Sequence, residues 1–252
     1  MALVNLDFFS ESLGVQTSAL VVIPQRSTTG EIGTANKAKE GKYKCLYLLH
    51  GLSDDHTIWM RRTSIERYAS EHGICVVMPC GARSFYSDMK YGMKYYTYIA
   101  KELPAIIEDM FNVSPKREDR YIGGLSMGGY GALKIALREE GRYAAAFGLS
   151  SVANIHNECF VEDMKLVFGD EIPKDADLFE LAVAHNTDEV KPRIYMTVGT
   201  DDFMYDDNVR LSETFKKLDY DYTYVETPGT HSWGLWDETV QCGIKWMLKG
   251  LF

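Results

Sequence analysis

The chain has little from which to build a disulfide framework. Its five cysteines, Cys45, Cys75, Cys80, Cys159 and Cys242, are odd in number and scattered, several inside apolar runs. That usage points to reduced thiols in a cytoplasmic protein. The closest pair, Cys75 and Cys80, brackets a predicted strand end without a paired Cys/His set, so no zinc site is expected. There is no H-E-x-x-H, and Asp54-Asp55-His56 lacks a second ligand cluster, so no metal is expected either. No stretch is apolar enough to span a bilayer. The start, Met1 to Phe9, lacks a basic n-region and a long apolar core, so no signal peptide is read there. A basic excess is missing as well. The formal net charge is -9, which argues against nucleic acid as a partner. Repeats, low-complexity tracts and composition breaks are absent, and 252 residues at 46% hydrophobic content are enough for one large core. One domain over residues 1–252 is the expectation.

What is present is an alternation of strand-like and helix-like segments. Val4 to Phe9 and Val15 to Ile23 read as two strands close enough for an antiparallel start. Ser27 to Lys42 has no apolar period and reads as a loop. Lys44 to His50, Ile74 to Met78 (stopped by Pro79) and Ala144 to Leu149 are short apolar runs, as strands covered on both faces require. Helical patterns fall at Thr57 to Ser70, at Tyr95 to Phe111 (with Pro104 interrupting), at Met127 to Arg138, at Asp207 to Leu218 and at Gly234 to Lys249. Arg193 to Val198 and Tyr222 to Val225 are further strands. Ser150 to Lys191 is polar, with short helical pieces and no clear strand, and reads as a cap or inserted excursion over about 150–191. The alternation predicts an α/β fold: a mostly parallel central sheet, helices on both faces and an antiparallel N-terminal start.

The most informative stretch is Gly124-Leu125-Ser126-Met127-Gly128, which has the G-x-S-x-G form of a nucleophile elbow. A serine hydroxyl is a weak nucleophile, so it must be lifted clear of the backbone and given a base. A sharp strand-to-helix turn does the lifting, and glycines on either side remove the collisions it would cause. The required strand, Arg120 to Gly123, and helix, from Met127, flank the motif. A P-loop is excluded because Tyr130 stands where lysine is needed. Functional groups in such sheets lie beyond the carboxyl ends of strands. Asp201 and Asp202 follow one predicted strand, and His231 follows the next. Ser126, an aspartate and His231 therefore occur in the chain order of the α/β-hydrolase triad. The pattern Gly-x-x-Asp favours Asp202 over Asp201, which stays an alternative. The Met127 amide, at the amino end of the elbow helix, is one candidate oxyanion donor. The Leu52 amide, aimed by a bend at Gly51, is the other.

Four stretches together resemble one family. Leu48-Leu49-His50-Gly51-Leu52-Ser53-Asp54-Asp55-His56-Thr57-Ile58-Trp59 resembles the oxyanion region of tributyrin-esterase-type enzymes, in the esterase D-like branch of the α/β-hydrolase superfamily. Gly123 to Gly131 resembles their nucleophile elbow. Gly199-Thr200-Asp201-Asp202-Phe203 and Gly229-Thr230-His231-Ser232-Trp233 resemble their acid and histidine loops. The resemblance runs over nearly the whole chain. It implies a serine carboxylesterase with the triad Ser126, Asp202 and His231 and the oxyanion donors Leu52 and Met127. It also implies short-chain acyl esters as substrates, acetylated sugars among them, and no cofactor. Self-association is implied too, since family members often associate.

Two other readings stand beside this one. The same branch holds S-formylglutathione hydrolases, although His50 stands here where those thioesterases usually carry serine. A catalytically inactive α/β-hydrolase acting as a binding module is the other. Trp59, Phe85, Tyr86, Tyr91, Phe203 and Trp233 fall near the predicted active edge, where they line a compact apolar pocket or simply pack the core.

Overall fold

The structure is a computed structural model, and it describes residues 1–26 and 40–249. Residues 27–39, most of the predicted loop, lie outside the described part. Among the described residues eight strands form one sheet: β1 (Ala2–Ser10), β2 (Val15–Ile23), β3 (Cys45–Leu49), β4 (Cys75–Pro79), β5 (Arg120–Leu125), β6 (Ala145–Leu149), β7 (Arg193–Gly199) and β8 (Tyr222–Thr227). Their order is β1-β2-β4-β3-β5-β6-β7-β8. β1 pairs with β2, and β2 with β4, antiparallel; every pairing from β4 across to β8 is parallel. The four central strands β4, β3, β5 and β6 are buried at every residue, which is why they read as unbroken apolar runs.

Side chains alternate between the two faces of these strands. Cys45, Tyr47 and Leu49 join a core on one face, while Leu46 and Leu48 join a second core on the other. The first face is covered by α4 (Leu103–Met110), α5 (Met127–Arg138), α7 (Leu178–Ala184) and α8 (Tyr205–Lys216). The second is covered by α1 (Ile58–Arg62), α2 (Ile65–His72) and α9 (Trp233–Met247).

Several boundaries differ from the sequence reading for local reasons. The helix predicted over Thr57 to Ser70 is two helices, broken where Thr63 turns extended. The one predicted over Tyr95 to Phe111 begins as α3 (Tyr95–Thr97), continues through a π turn (Tyr98–Glu102) and becomes α4, with Pro104 just past the π turn. Pro79 ends inside β4 rather than after it. The 150–191 stretch contains no strand. It contributes α6 (Val161–Phe168) and α7, and Leu178, Leu181 and Ala182 of α7 are buried in the first core.

All six parallel strands run the same way, so the loops after β3, β4, β5, β6, β7 and β8 gather at one edge of the sheet. α5 leaves β5 at the centre of that edge. All of its residues but Arg138 are buried, because it lies between the sheet and α7.

Candidate active site

Ser126 caps α5 at φ 52 and ψ -119, a conformation that a residue with a β-carbon seldom takes. The turn is held from three sides. Ser126 donates its N–H to Leu149 O at 2.9 Å, and its carbonyl accepts from Tyr130 N–H at 3.1 Å and Val152 N–H at 3.0 Å. The flanking glycines are dictated by contact. A β-carbon on Gly124 would stand 2.8 Å from Leu49 O, and one on Gly128 would stand 2.6 Å from His50 O. The elbow helix thus rests directly on the backbone at the end of β3.

The strained turn aims Ser126 Oγ at His231. Their separation, Oγ to Nε2, is 3.1 Å, and His231 Nδ1 lies 3.0 Å from both carboxylate oxygens of Asp202. An ionised carboxylate can only accept, so Nδ1 carries the proton and Nε2 is left to accept from the serine hydroxyl. Asp202 is buried. Burial pushes its carboxyl up, but bonds from His231 and from the Met204 N–H at 2.9 Å outweigh this and hold it below the usual range. Asp201, by contrast, faces solvent, with its backbone N–H on Gly229 O.

The loop after β3 closes the other side. His50 Nδ1 donates to Gly51 O at 2.7 Å, and His50 Nε2 accepts from Gly81 N–H at 2.8 Å. Burial pulls this imidazole down to about 4, so it stays neutral and keeps both roles. Tyr86 hydroxyl donates to His50 O at 2.9 Å, tying the loop after β4 to the same point. With the Gly51 carbonyl turned away, the neighbouring Leu52 N–H is not engaged by any backbone acceptor among the described residues. Met127 is the first residue of α5, where backbone N–H groups have no intrahelical partner.

These groups open into a cavity of about 200 Å³ lined by Gly51, Leu52, Ser53, Asp54, Leu125, Ser126, Phe160, Phe203, His231, Trp233 and Trp236. Phe203 and Trp233 are thus where the sequence put them. Trp59, Phe85 and Tyr91 are not: none of them lines this cavity. Trp59 is fully buried in the second core, its indole N–H on Leu49 O at 3.1 Å. Phe85 is fully buried in the first core, packed edge-on against Tyr130 and Phe160. Tyr91 is exposed, its backbone N–H on Leu166 O.

Four lining groups escaped the sequence reading. Trp236 was within reach of it, one helical turn after Trp233 and so on the same face of α9. Phe160, from the 150–191 stretch, carried no signal; Ser53 and Asp54 lay inside the stretch that resembles an oxyanion region but were not singled out as lining. A larger cavity of about 320 Å³, lined by Ile155, Val161, Met164 and Ile172 among others, contains none of Ser126, His231 and Asp202.

Residues 10–246 match the family described as "Putative esterase". The chain belongs to this esterase family. It is 29% identical to an acetyl esterase of Caldicellulosiruptor saccharolyticus over 99% of both chains. Among solved structures, fluorophosphonate-binding serine hydrolase F of Staphylococcus aureus superposes with a TM-score of 0.87 at 33% identity, covering 98% of each chain. An S-formylglutathione hydrolase of the same organism gives 0.86 at 32%, over 98% of this chain and 99% of that one. The esterase is therefore a carboxylic ester hydrolase with the α/β fold of these serine hydrolases. Among its described residues no helix is long and apolar enough to cross a membrane.

Proposed function

We propose that this esterase hydrolyses short-chain acyl esters, of the acetyl and butyryl kind, through an acyl-enzyme on Ser126. The observation that carries the reading is the line Ser126–His231–Asp202, with links of 3.1 and 3.0 Å, opening on a cavity of only about 200 Å³. Ligand pockets are usually ~300 Å³ or more, so the space favours a small acyl group. The likeness to an acetyl esterase over 99% of the chain supports the same substrate class.

In this mechanism Ser126 Oγ attacks the ester carbonyl while His231 Nε2 takes its proton. Asp202 stabilises the imidazolium. The tetrahedral oxyanion is received by the Met127 and Leu52 amides. His231 then passes its proton to the departing alcohol; water, deprotonated by His231, attacks the acyl carbon, and the bond to Ser126 Oγ breaks as His231 returns the proton to that oxygen and the acid leaves. The buried rings of Phe160 and Trp236 supply apolar lining and Asp54 a polar group in the same cavity, a combination that suits acetylated sugars.

The test is a series of p-nitrophenyl esters from acetate to palmitate, run on wild type and Ser126→Ala. Expected are a preference for acetate and butyrate, and loss of both turnover and fluorophosphonate labelling in the variant. A preference for long chains, or labelling that survives Ser126→Ala, overturns the proposal. S-formylglutathione belongs in the same series, because the likeness to the S. aureus enzyme favours a thioester reading. Faster turnover of that thioester would replace the ester as the substrate. No turnover of any substrate would make the chain a binding module.

The same reading takes the chain as one cytoplasmic domain, with the 150–191 stretch as a cap that lends Phe160 to the cavity. Cysteine usage supports that location: Cys45 and Cys75 are paired positions on β3 and β4 and are free thiols. Self-association is part of the proposal and is read by the mass of the purified protein in solution.

A further inference from the structure

His231 touches two aromatic rings. The Phe203 ring centre lies 4.6 Å from the imidazole centre, tilted by 56°. Trp236 lies 4.7 Å away at 90°. Trp236 in turn meets Trp233 at 5.3 Å and 89°, and Trp233 meets Trp59 at 5.2 Å and 87°. Trp59 is pinned by its bond to Leu49 O. Three of the four tryptophans thus form an edge-to-face series, running from the strand that carries the oxyanion loop to the histidine. Among the described residues the buried indole N–H of Trp236 meets no hydrogen-bond acceptor, so its contacts to these neighbours are made by its ring.

The imidazole needs such support at one stage of the reaction in particular. In the free enzyme it is held at both nitrogens, by Asp202 and by Ser126. Once Ser126 carries an acyl group, its hydroxyl proton is gone and one of the two ties is lost. The remaining tie to Asp202 fixes one nitrogen but leaves the ring free to tilt about it. Neighbouring aromatic rings restrict that tilt, and they attract the imidazolium formed in each half of the cycle.

We infer that Phe203 and Trp236 are positioning residues that hold His231 in its working orientation, above all while Ser126 is acylated. The inference rests on the proposed triad and goes beyond it by assigning the two rings a role in turnover rather than in substrate contact alone. Phe203 is the cleaner handle, because it is 63% exposed and its replacement leaves the core intact.

The experiment compares wild type, Phe203→Leu and Phe203→Trp on p-nitrophenyl acetate, propionate and butyrate, with the pre-steady-state burst measured alongside steady turnover. Expected in Phe203→Leu is a kcat lower by about threefold to tenfold, the size of one aromatic pair interaction. The loss should be equal across the three acyl groups, larger in deacylation than in the burst, and restored by Phe203→Trp, while the urea midpoint stays put. A loss that grows with acyl size, or one confined to KM, makes Phe203 a wall of the substrate pocket and overturns the inference. An unchanged kcat does the same. Wild type that turns over no ester removes the triad proposal itself, whereas active wild type with an unaffected Phe203→Leu removes only this one.

Discussion

Gly128→Ala probes the contact on which the whole site is built. The added β-carbon would stand 2.6 Å from His50 O and closer still to Leu49 O, against an ordinary contact distance of 3.4 Å or more. Both partners are backbone atoms at the end of a buried central strand, so they cannot rotate away. The helix must therefore retreat by roughly 1 Å, and Met127 N–H retreats with it. A misplacement of about 1 Å in a reacting geometry costs on the order of a hundredfold, and loss of one oxyanion donor costs about a hundred- to a thousandfold. Overpacking of this kind destabilises by about 1–3 kcal/mol.

The expected outcome is a kcat on p-nitrophenyl acetate down by about a hundredfold, with a lower urea midpoint. Gly73→Ala is the matched control. Gly73 ends α2 in the left-handed region at φ 63 and leads into the amino end of β4, at the edge of the sheet opposite the elbow, so the change should cost stability and leave kcat unchanged. Wild-type kcat in Gly128→Ala, or equal kcat losses in the two variants, would refute the argument that helix–strand contact sets the oxyanion geometry.

Three further outcomes follow from the same structure. Asp202→Asn should lower kcat by about 10⁴-fold through the wrong histidine tautomer, while Asp201→Asn, at the exposed neighbour, should change it less than about twofold; steady-state kinetics on the two variants decides between the aspartates. His50 is neutral in the folded protein down to about 4, whereas an unfolded histidine takes its proton near 6.5. As pH falls from 6.5 towards 4 the unfolded chain binds a proton that the folded one refuses, so up to about 3 kcal/mol of stability drains away across that window. Urea unfolding at pH 7, 6 and 5 should therefore show a shallower decline in His50→Gln than in wild type. Finally, Gly234 is in the first turn of α9 and, among the described residues, has nothing within 4 Å of where a β-carbon would sit. Gly234→Ala should raise the free energy of unfolding by about 0.5 kcal/mol by limiting the unfolded chain, as read from the urea midpoint.

Much of this was legible because it is local. The G-x-S-x-G turn needs two glycines and a serine in five consecutive positions, and buried parallel strands need unbroken apolar runs. Strand ends in turn mark where Asp202 and His231 must lie. Other features resisted for an equally physical reason. Trp59 and Phe85 are apolar residues next to active loops, and nothing in their spacing distinguishes a wall of the cavity from a filler of the core. Their burial depends on α9 packing over one and on Tyr130 and Phe160 meeting the other. Phe160 reaches the cavity from a polar stretch whose path no periodicity announces.

Local steric and hydrophobic demands, acting over a few residues, set the alternation of strands and helices and the strained serine turn, and with them the strand ends at which the proposed triad residues fall. Only the folded arrangement shows which aromatic rings surround His231 and how small the space beside Ser126 becomes, and it puts Asp202, which the Gly-x-x-Asp pattern favoured, against the imidazole. Those outcomes depend on contacts between segments as distant in sequence as Trp59 and Trp233, and only the packing of the sheet brings such segments to one edge.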